Sequence, residues 1–339
     1  MRILLSASLV AVLGSVMCGT ISVQTVSAQT LSTQALSTQT QMGPVATKAK
    51  PTPAPKIELP KIAPVKLEPL AELEGPAGTK EISGIIASRQ WPGIYWVQND
   101  SGDETRIYPV DRKGRLKKSA RVADAPGILV GGVINSDWED ITVDASGHVI
   151  IGDVGNNSNG RRDLALHYVM EPEPTAGFTG LLKSYYFRYP EQKTWPAAKD
   201  DFNYDCEGIF TKGDTVYLVT KRRSDSLTRL YRLDNPQTGV LNVLTPLADF
   251  DVRGRATGAD ATPDGKRLAV LTYDAVWLFD AKTPGGDDWF AGSVYWFPFT
   301  GVKDAEAITF DGPDTLLIGA EEGAGKLYEV PVAKMVKVR

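Results

Sequence analysis

One pattern recurs along the chain with a period near fifty residues, and no other feature constrains the fold as strongly. Each copy opens with a short segment that often carries an acidic residue at its start: ISGIIAS (82–88), WEDITVD (138–144), CEGIFTK (206–212), a weaker TGADATPDG (257–265) and AEAITFDG (305–312). Turn residues follow, such as Ser146-Gly147, Gly213-Asp214, Asp264-Gly265 and Gly312-Pro313-Asp314. Then comes a strongly apolar run: GIYWVQN (93–99), HVIIGDV (148–154), TVYLVTK (215–221), RLAVLTY (267–273) and TLLIGAE (315–321). Runs this continuous are strands buried on both faces. Third strands fall at RIYPVD (106–111), LALHYV (164–169), RLYRLD (229–234), AVWLFD (275–280) and KLYEV (326–330). Fourth strands are expected at Leu116–Val122, Leu182–Arg188, Val240–Phe250 and Ser293–Pro298.

Four-stranded units at this period imply an all-β fold, a single β-propeller. A solenoid has shorter and more regular repeats. Five blades are counted; a sixth, diverged blade within 172–203 is the alternative. The fifth unit lacks an outer strand, which KLEPLAELE (66–74) is placed to supply. Such a closing N-terminal strand removes the open sheet edges.

The ends have a different character. Arg2, the apolar stretch from Ile3 to about Val23 and the small-x-small triplet Val26-Ser27-Ala28 read as a signal peptide over 1–28, cut before Gln29. An uncleaved anchor, or lipidation at Cys18, is the alternative. Residues 29–64 read as a disordered Thr/Gln/Pro/Lys-rich linker, extended where Pro is dense, leaving 65–339 as the propeller domain. The expected location is therefore periplasmic or extracellular, with no membrane span after cleavage, as a monomer. Cleavage would leave Cys206 without an intramolecular partner, which excludes a disulfide framework. Two His and a net charge of −4 argue against imidazole metal sites and against nucleic acid as a partner.

In a propeller, the loop before strand one and the loop after strand two share one rim. Here that rim gathers Asp137 and Glu139, Asp205 and Glu207, and Asp304 and Glu306 before first strands. After second strands it gathers Asn99, Asp100 and Asp103; Asp153, Asn156 and Asn157; Lys221, Arg222 and Arg223; and Glu321 and Glu322. The opposite rim has ordinary turn residues. Glu139, Glu207 and Glu306 take the same place in their repeats (EDI, EGI, EAI), and Ser83 takes it in unit one. In unit four Gly258, Ala259 or Asp260 could align. Carboxylates converging on one channel mouth repel one another unless a cation intervenes. Oxygen ligands without His or Cys suit calcium or magnesium, and a flexible mixed set of Glu, Asp and Asn suits calcium better, with Glu139, Glu207, Glu306 and Asn157 as the candidate set. The competing reading makes each Glu a repeat-consensus residue bonded to backbone amides.

GDVGNNSNGRRDL (152–164) combines left-handed-turn residues with Arg161 and Arg162. It reads either as an anion-binding loop or as a solvated loop whose Arg residues pair with local Asp. Asn99, Asp100, Asn156, Lys221 and Arg222 complete the candidate ligand-binding set, for a small anionic ligand or a cell-envelope component. Asp153 is the candidate catalytic base. Trp96 and Trp138 read as core, Trp195 as lying in an irregular loop, and His148 and His167 as structural. No nucleophile elbow is present, and Cys206 has no basic neighbour in sequence.

NDSGD (99–103), DWEDI (137–141), GDVGNN with RRDL (152–164), DCEGI (205–209), TGADATPDGKRLAVLTY (257–273) and DAEAI (304–308) together resemble uncharacterised secreted bacterial propeller proteins. These are grouped loosely with phytase-like esterase and lactonase propellers. In the calcium-dependent gluconolactonase and paraoxonase relatives, a Glu at the start of a strand, with Asn and Asp, holds a central calcium. The EGI of 207–209 is similar to that motif, so the resemblance implies a metal-ligand role for Glu207. Those enzymes have six blades rather than five, and the paraoxonase-type His pair has no counterpart here. The expectation is an exported calcium-binding module of the cell envelope. The alternative is a calcium-dependent hydrolase of an ester, lactone or phosphoester.

Overall fold

The computed structural model describes residues 51–74, 81–119, 122 and 126–339. The expected signal peptide and most of the expected linker lie outside the described residues. Among the described residues, no helix is long and apolar enough to cross a membrane.

Two short strands come first, β1 (Val65–Lys66) and β2 (Ala71–Glu72). Blade one is β3 (Ile82–Ala87), β4 (Ile94–Asn99), β5 (Arg106–Asp111) and β6 (Ile128–Gly131). Blade two is β7 (Trp138–Val143), β8 (His148–Asp153), β9 (Ala165–Met170) and β10 (Phe178–Arg188). Blade three is β11 (Cys206–Lys212), β12 (Thr215–Thr220) and β13 (Leu227–Arg232), then β14 (Leu241–Val243), which pairs with β10, and the outer strand β15 (Thr245–Asp251). Blade four is β16 (Ala256–Ala261), β17 (Arg267–Thr272), β18 (Ala275–Asp280) and β19 (Val294–Thr300). Blade five is β20 (Ala305–Phe310), β21 (Thr315–Ala320) and β22 (Lys326–Pro331). A last strand, β23 (Val336–Lys337), adds to β19.

Each innermost strand packs on the next, β3 on β7, β7 on β11, β11 on β16, β16 on β20 and β20 back on β3. The apolar second strands are buried on both faces, as their unbroken runs require. The core is a set of layers between neighbouring blades. Trp96 and Trp138 fill the layer between blades one and two, Phe210 and Trp277 that between three and four, and Ile82 and Leu317 that between five and one. The ring therefore closes on five blades. The stretch 172–203, considered for a sixth, holds instead the outer strand of blade two and an irregular loop.

Closure uses the N-terminal segment. β2 pairs antiparallel with β22, with Ala71 opposite Leu327 and Glu72 opposite Lys326, and supplies the missing outer strand of blade five. Leu73 is then buried between blades five and one. Gly114, at positive φ, lets blade one close on this strand: a Cβ there would collide with the Glu72 carbonyl.

Two expectations are corrected. The outer strand of blade one is Ile128–Gly131, not 116–122. Ile128 and Val130 are buried there, whereas Leu116 makes a single bridge to Val110 and Lys117 turns back to Asp111. In unit four none of Gly258, Ala259 or Asp260 matches the glutamates; Thr257 does. In every blade the pairing of the first two strands shifts by one residue at the same place, so that Ser83, Glu139, Glu207, Thr257 and Glu306 are all bulged. The C-terminal part of the expected linker is extended and laid on the domain: Thr52 exchanges backbone hydrogen bonds with Leu247 and Asp249, and Ile57 and Leu59 pack against the core.

Candidate metal centre at the channel mouth

The bulge adds one residue at the top of each inner strand and turns its side chain toward the channel mouth. Three of the five bulged residues are glutamates. Glu139 and Glu207 are buried, at 5% and 3% exposure, and Glu306 is half-buried. The residues two positions earlier, Asp137 and Asp205, and Asp100 from the loop after β4 complete the group. The carboxylate oxygens of Asp100, Asp137 and Glu139 all lie within 4.8 Å of one another, as do those of Glu139, Asp205 and Glu207. Glu139 is common to both sets.

Neutralisation is uneven. Lys221 Nζ donates to Glu207 Oε2 at 2.9 Å and lies 5.3 Å from the Tyr273 ring centroid. Arg223 donates to Asp205 Oδ2 at 2.7 Å, and the Asn156 backbone N–H donates to Asp205 Oδ1 at 2.7 Å. On the other side, no basic side chain pairs with Asp100, Asp137 or Glu139 among the described residues. Among the described residues the Ser83 hydroxyl, 3.1 Å from Glu139 Oε2, is the one donor to that carboxylate. Two buried acceptors on the same rim, Glu306 Oε2 and Asn99 Oδ1, have no hydrogen-bond partner.

The proton affinities follow. Burial first, then the charges of Glu207, Asp100, Asp205 and Asp137, raise the Glu139 pKa well above the usual carboxylate range. Burial and Asp205 raise that of Glu207 against the opposing pull of Lys221. Asp137 is pushed up to about 6, by burial and then Asp100. Glu321 is pushed up to about 7, by burial and then Glu306. Lys221 is raised, because its glutamate neighbours outweigh its own burial.

The glutamates are thus not the residues that hold backbone amides. That role falls to Asp140, which accepts from the Ile209 N–H of the next blade at 2.7 Å, and to Asp260, which accepts from Phe310 N–H at 2.8 Å.

The other candidates are placed as follows. Asn157 is exposed and accepts from Arg223, which also donates to Asp205 of the second carboxylate set. Asn156 is buried and spent on its loop, donating to Tyr204 O at 2.8 Å and accepting from Arg161 N–H at 2.9 Å. Asn99 donates to Asp103. Asp153 is held by Arg161 at 2.8 Å, with His167 at 3.7 Å. These contacts outweigh its burial and keep its carboxyl below the usual range, a state that suits an ion pair and not a general base. Arg222 turns to Asp225 and Asp249, away from the mouth. Arg162 lies over Trp195, 4.9 Å from the ring centroid. His148 pairs with Asp144. Cys206 is buried in the core.

Asp137 and Asp205 belong to the site although the three-glutamate pattern passed over them; their signal was the acid two residues before each Glu. The opposite rim, expected to hold ordinary turns, is not featureless. It carries a cavity of about 670 Å³, lined in part by Arg89, Asp260, Arg267 and Phe310. Arg89 crosses to Thr211 there, donating at 3.2 Å.

No protein-family model and no curated protein matches the sequence. Solved structures similar to this chain include the PQQ-bound aldose sugar dehydrogenase of Streptomyces coelicolor, with 11% identity, TM-score 0.46, and coverage of 78% of this chain and 97% of that one. A catalytically inactive virginiamycin B lyase of Staphylococcus aureus with quinupristin has 16% identity and TM-score 0.37 over 74% of this chain and 66% of that one. Hydrazine synthase of Kuenenia stuttgartiensis has 9% identity and TM-score 0.40 over 74% and 72%. Likeness at this level adds nothing about activity. The class rests on the closed ring of blades: the chain is a five-bladed β-propeller.

Proposed function

We propose that this is an exported propeller that binds calcium at the channel mouth and serves the cell envelope as a ligand-binding or scaffolding module. The observation that carries the reading is the trio Asp100, Asp137 and Glu139, whose oxygens lie within 4.8 Å of one another with no basic side chain paired to them. A trio of this kind, half-buried and repelling, is stabilised by a bound cation. All-oxygen donors favour calcium or magnesium, and a carboxylate-rich set on loops of unequal length fits calcium's variable coordination better. Asp205 and Glu207 would extend the set through Glu139. Export rests on the expected signal peptide over 1–28 and on the resemblance to uncharacterised secreted bacterial propellers; the likeness of EGI at 207–209 to the calcium-binding Glu motif of gluconolactonase-type propellers agrees with the metal.

The test is thermal melting of the full chain against calcium, with Glu139→Gln as the variant. Calcium at about a hundred times its Kd stabilises by about 2.7 kcal/mol. For a domain of this size that is a rise of roughly 5–10 °C. Glu139→Gln should abolish most of the rise while leaving the calcium-free protein at least as stable, since a repelling charge is removed. A melting temperature indifferent to millimolar calcium would sink the metal reading.

A hydrolase of an ester, lactone or phosphoester is the second reading, favoured by Glu321, a carboxyl on the same rim outside both close sets that burial and then Glu306 push up to about 7, a value that suits a general base. Its check is a substrate panel with calcium present, and uniform inactivity would leave the module.

A further inference from the structure

We propose that the outer edge of blade two carries a separate site for a small organic acid, a carboxylate or phosphate borne on a flat apolar body. The site is a pocket of about 330 Å³ beside the loop that follows β8. Three arginines line it, Arg161, Arg162 and Arg188, and no acidic residue does. Its apolar wall is Leu164, Phe187 and Leu241, with Trp195 and Gln192 at the loop side.

The arginines are not equivalent. Arg161 is committed, to Asp153 at 2.8 Å, Asp163 at 3.1 Å and the Gly155 carbonyl at 2.9 Å. Arg162 and Arg188 form no ion pair among the described residues. Arg162 is held in place by the Trp195 face beneath it. Arg188 is half-buried on β10, whose backbone is fixed on both sides by β9 and β14. Two uncompensated guanidinium groups facing one small pocket repel each other, and a ligand anion would relieve this while accepting paired hydrogen bonds from their planar forks.

The rest of the pocket is rigid and apolar. Phe187 and Leu164 belong to the packed layer between blades two and three. Gln192 pins the loop by donating to Asn159 O at 2.8 Å and Thr194 O at 3.2 Å. An anion on a planar ring uses both features: the acid meets the arginines and the ring meets Phe187, Leu241 and the free parts of Trp195. The volume lies at the small end of the usual range of about 300–1,000 Å³ for ligand pockets, which excludes large polymers from full enclosure. The proposal is independent of the cation at the channel mouth.

Phenyl phosphate and benzoate are the probes, titrated into the full chain by calorimetry and by tryptophan fluorescence. Inorganic phosphate and benzyl alcohol are the half-ligands. Binding should be millimolar or tighter, and should weaken as salt rises from about 20 mM to about 200 mM. Relative strength of the two probes tells phosphate from carboxylate as the preferred acid. Arg188→Gln and Arg162→Gln should each weaken binding by roughly tenfold, the loss of one charge-assisted contact. Arg162 is exposed, so its variant folds even if that at Arg188 does not. Trp195→Phe should remove the fluorescence response, and Glu139→Gln should leave binding intact, which separates this site from the metal centre. No response to either probe at about 10 mM, weaker than any useful affinity, would overturn the proposal. Equal binding by the Arg162→Gln variant would do so too. Inorganic phosphate binding as tightly as phenyl phosphate would overturn the ligand class.

Discussion

Gly155 shows how closely single residues set the carboxylate group. Its backbone passes against the acids: a Cβ there would overlap Glu139 Oε1 and lie 2.5 Å from Asp137 Oδ2. Gly155→Ala should therefore displace one or both carboxylates and cut the calcium-induced rise in melting temperature by more than half. Gly213→Ala is the control. It sits in the turn between β11 and β12 at φ 62° with open space around it, and should cost about 1 kcal/mol of backbone strain with no change in calcium response. Equal calcium responses for Gly155→Ala and the parent would show that the Asp137–Glu139 pair is not the binding element. The sequence made Glu139, Glu207 and Glu306 legible, because each precedes an apolar strand at the same offset. It could not reveal Thr257 as their counterpart, since an Ala-Thr-Gly-Ala run has several registers and only pairing with β17 chooses among them. Nor could it show that Asp153 is consumed by Arg161, eight residues away across a turn.

At the scale of elements, the closing strand is the most exposed point of the design. β2 contributes two paired residues, yet it completes blade five and brings Leu73 to 2% exposure against Leu327 and Val110. Leu73→Ala should destabilise by about 2–4 kcal/mol, the usual range for a truncated buried leucine. That loss should appear as a lower urea midpoint. A change under about 0.5 kcal/mol, the level of a surface substitution, would mean that the segment is not integral to the ring. The expectation that this segment closes the ring was available from a count of apolar runs, because a four-stranded unit that ends at its third strand needs a partner from elsewhere. The outer strand of blade one escaped the same count. GILVGG is three apolar residues between glycines, and it becomes a strand because β5 and the start of β10 flank it on both sides. Long-range pairing of this kind leaves little periodic trace.

For the whole molecule, the ring forces acids from four blades toward one axis, so stability and ion binding are linked through protons. Asp137 at about 6 and Glu321 at about 7 are raised above the ordinary carboxylate value, chiefly by burial, and Glu139, Glu207 and Glu306 are raised as well. A raised carboxylate binds its proton more tightly in the folded chain than in the unfolded one. Its favourable contribution is thus present at low pH and lost as pH rises from about 4 through the folded pKa. Asp111 and Asp264, held down at about 2, act in the opposite sense, and their contribution is lost only below about pH 4. In chelator, the melting temperature should fall between about pH 5 and about pH 7.5 by some degrees. Calcium takes the ionised form of its ligands, so its binding should release protons at pH 6, where Asp137 is about half-protonated. The two melting curves should then converge toward low pH and separate as pH rises. Parallel pH dependences with and without calcium, and no proton release in an indicator-dye titration at pH 6, would show that the ion does not reach the raised carboxylates at the channel mouth.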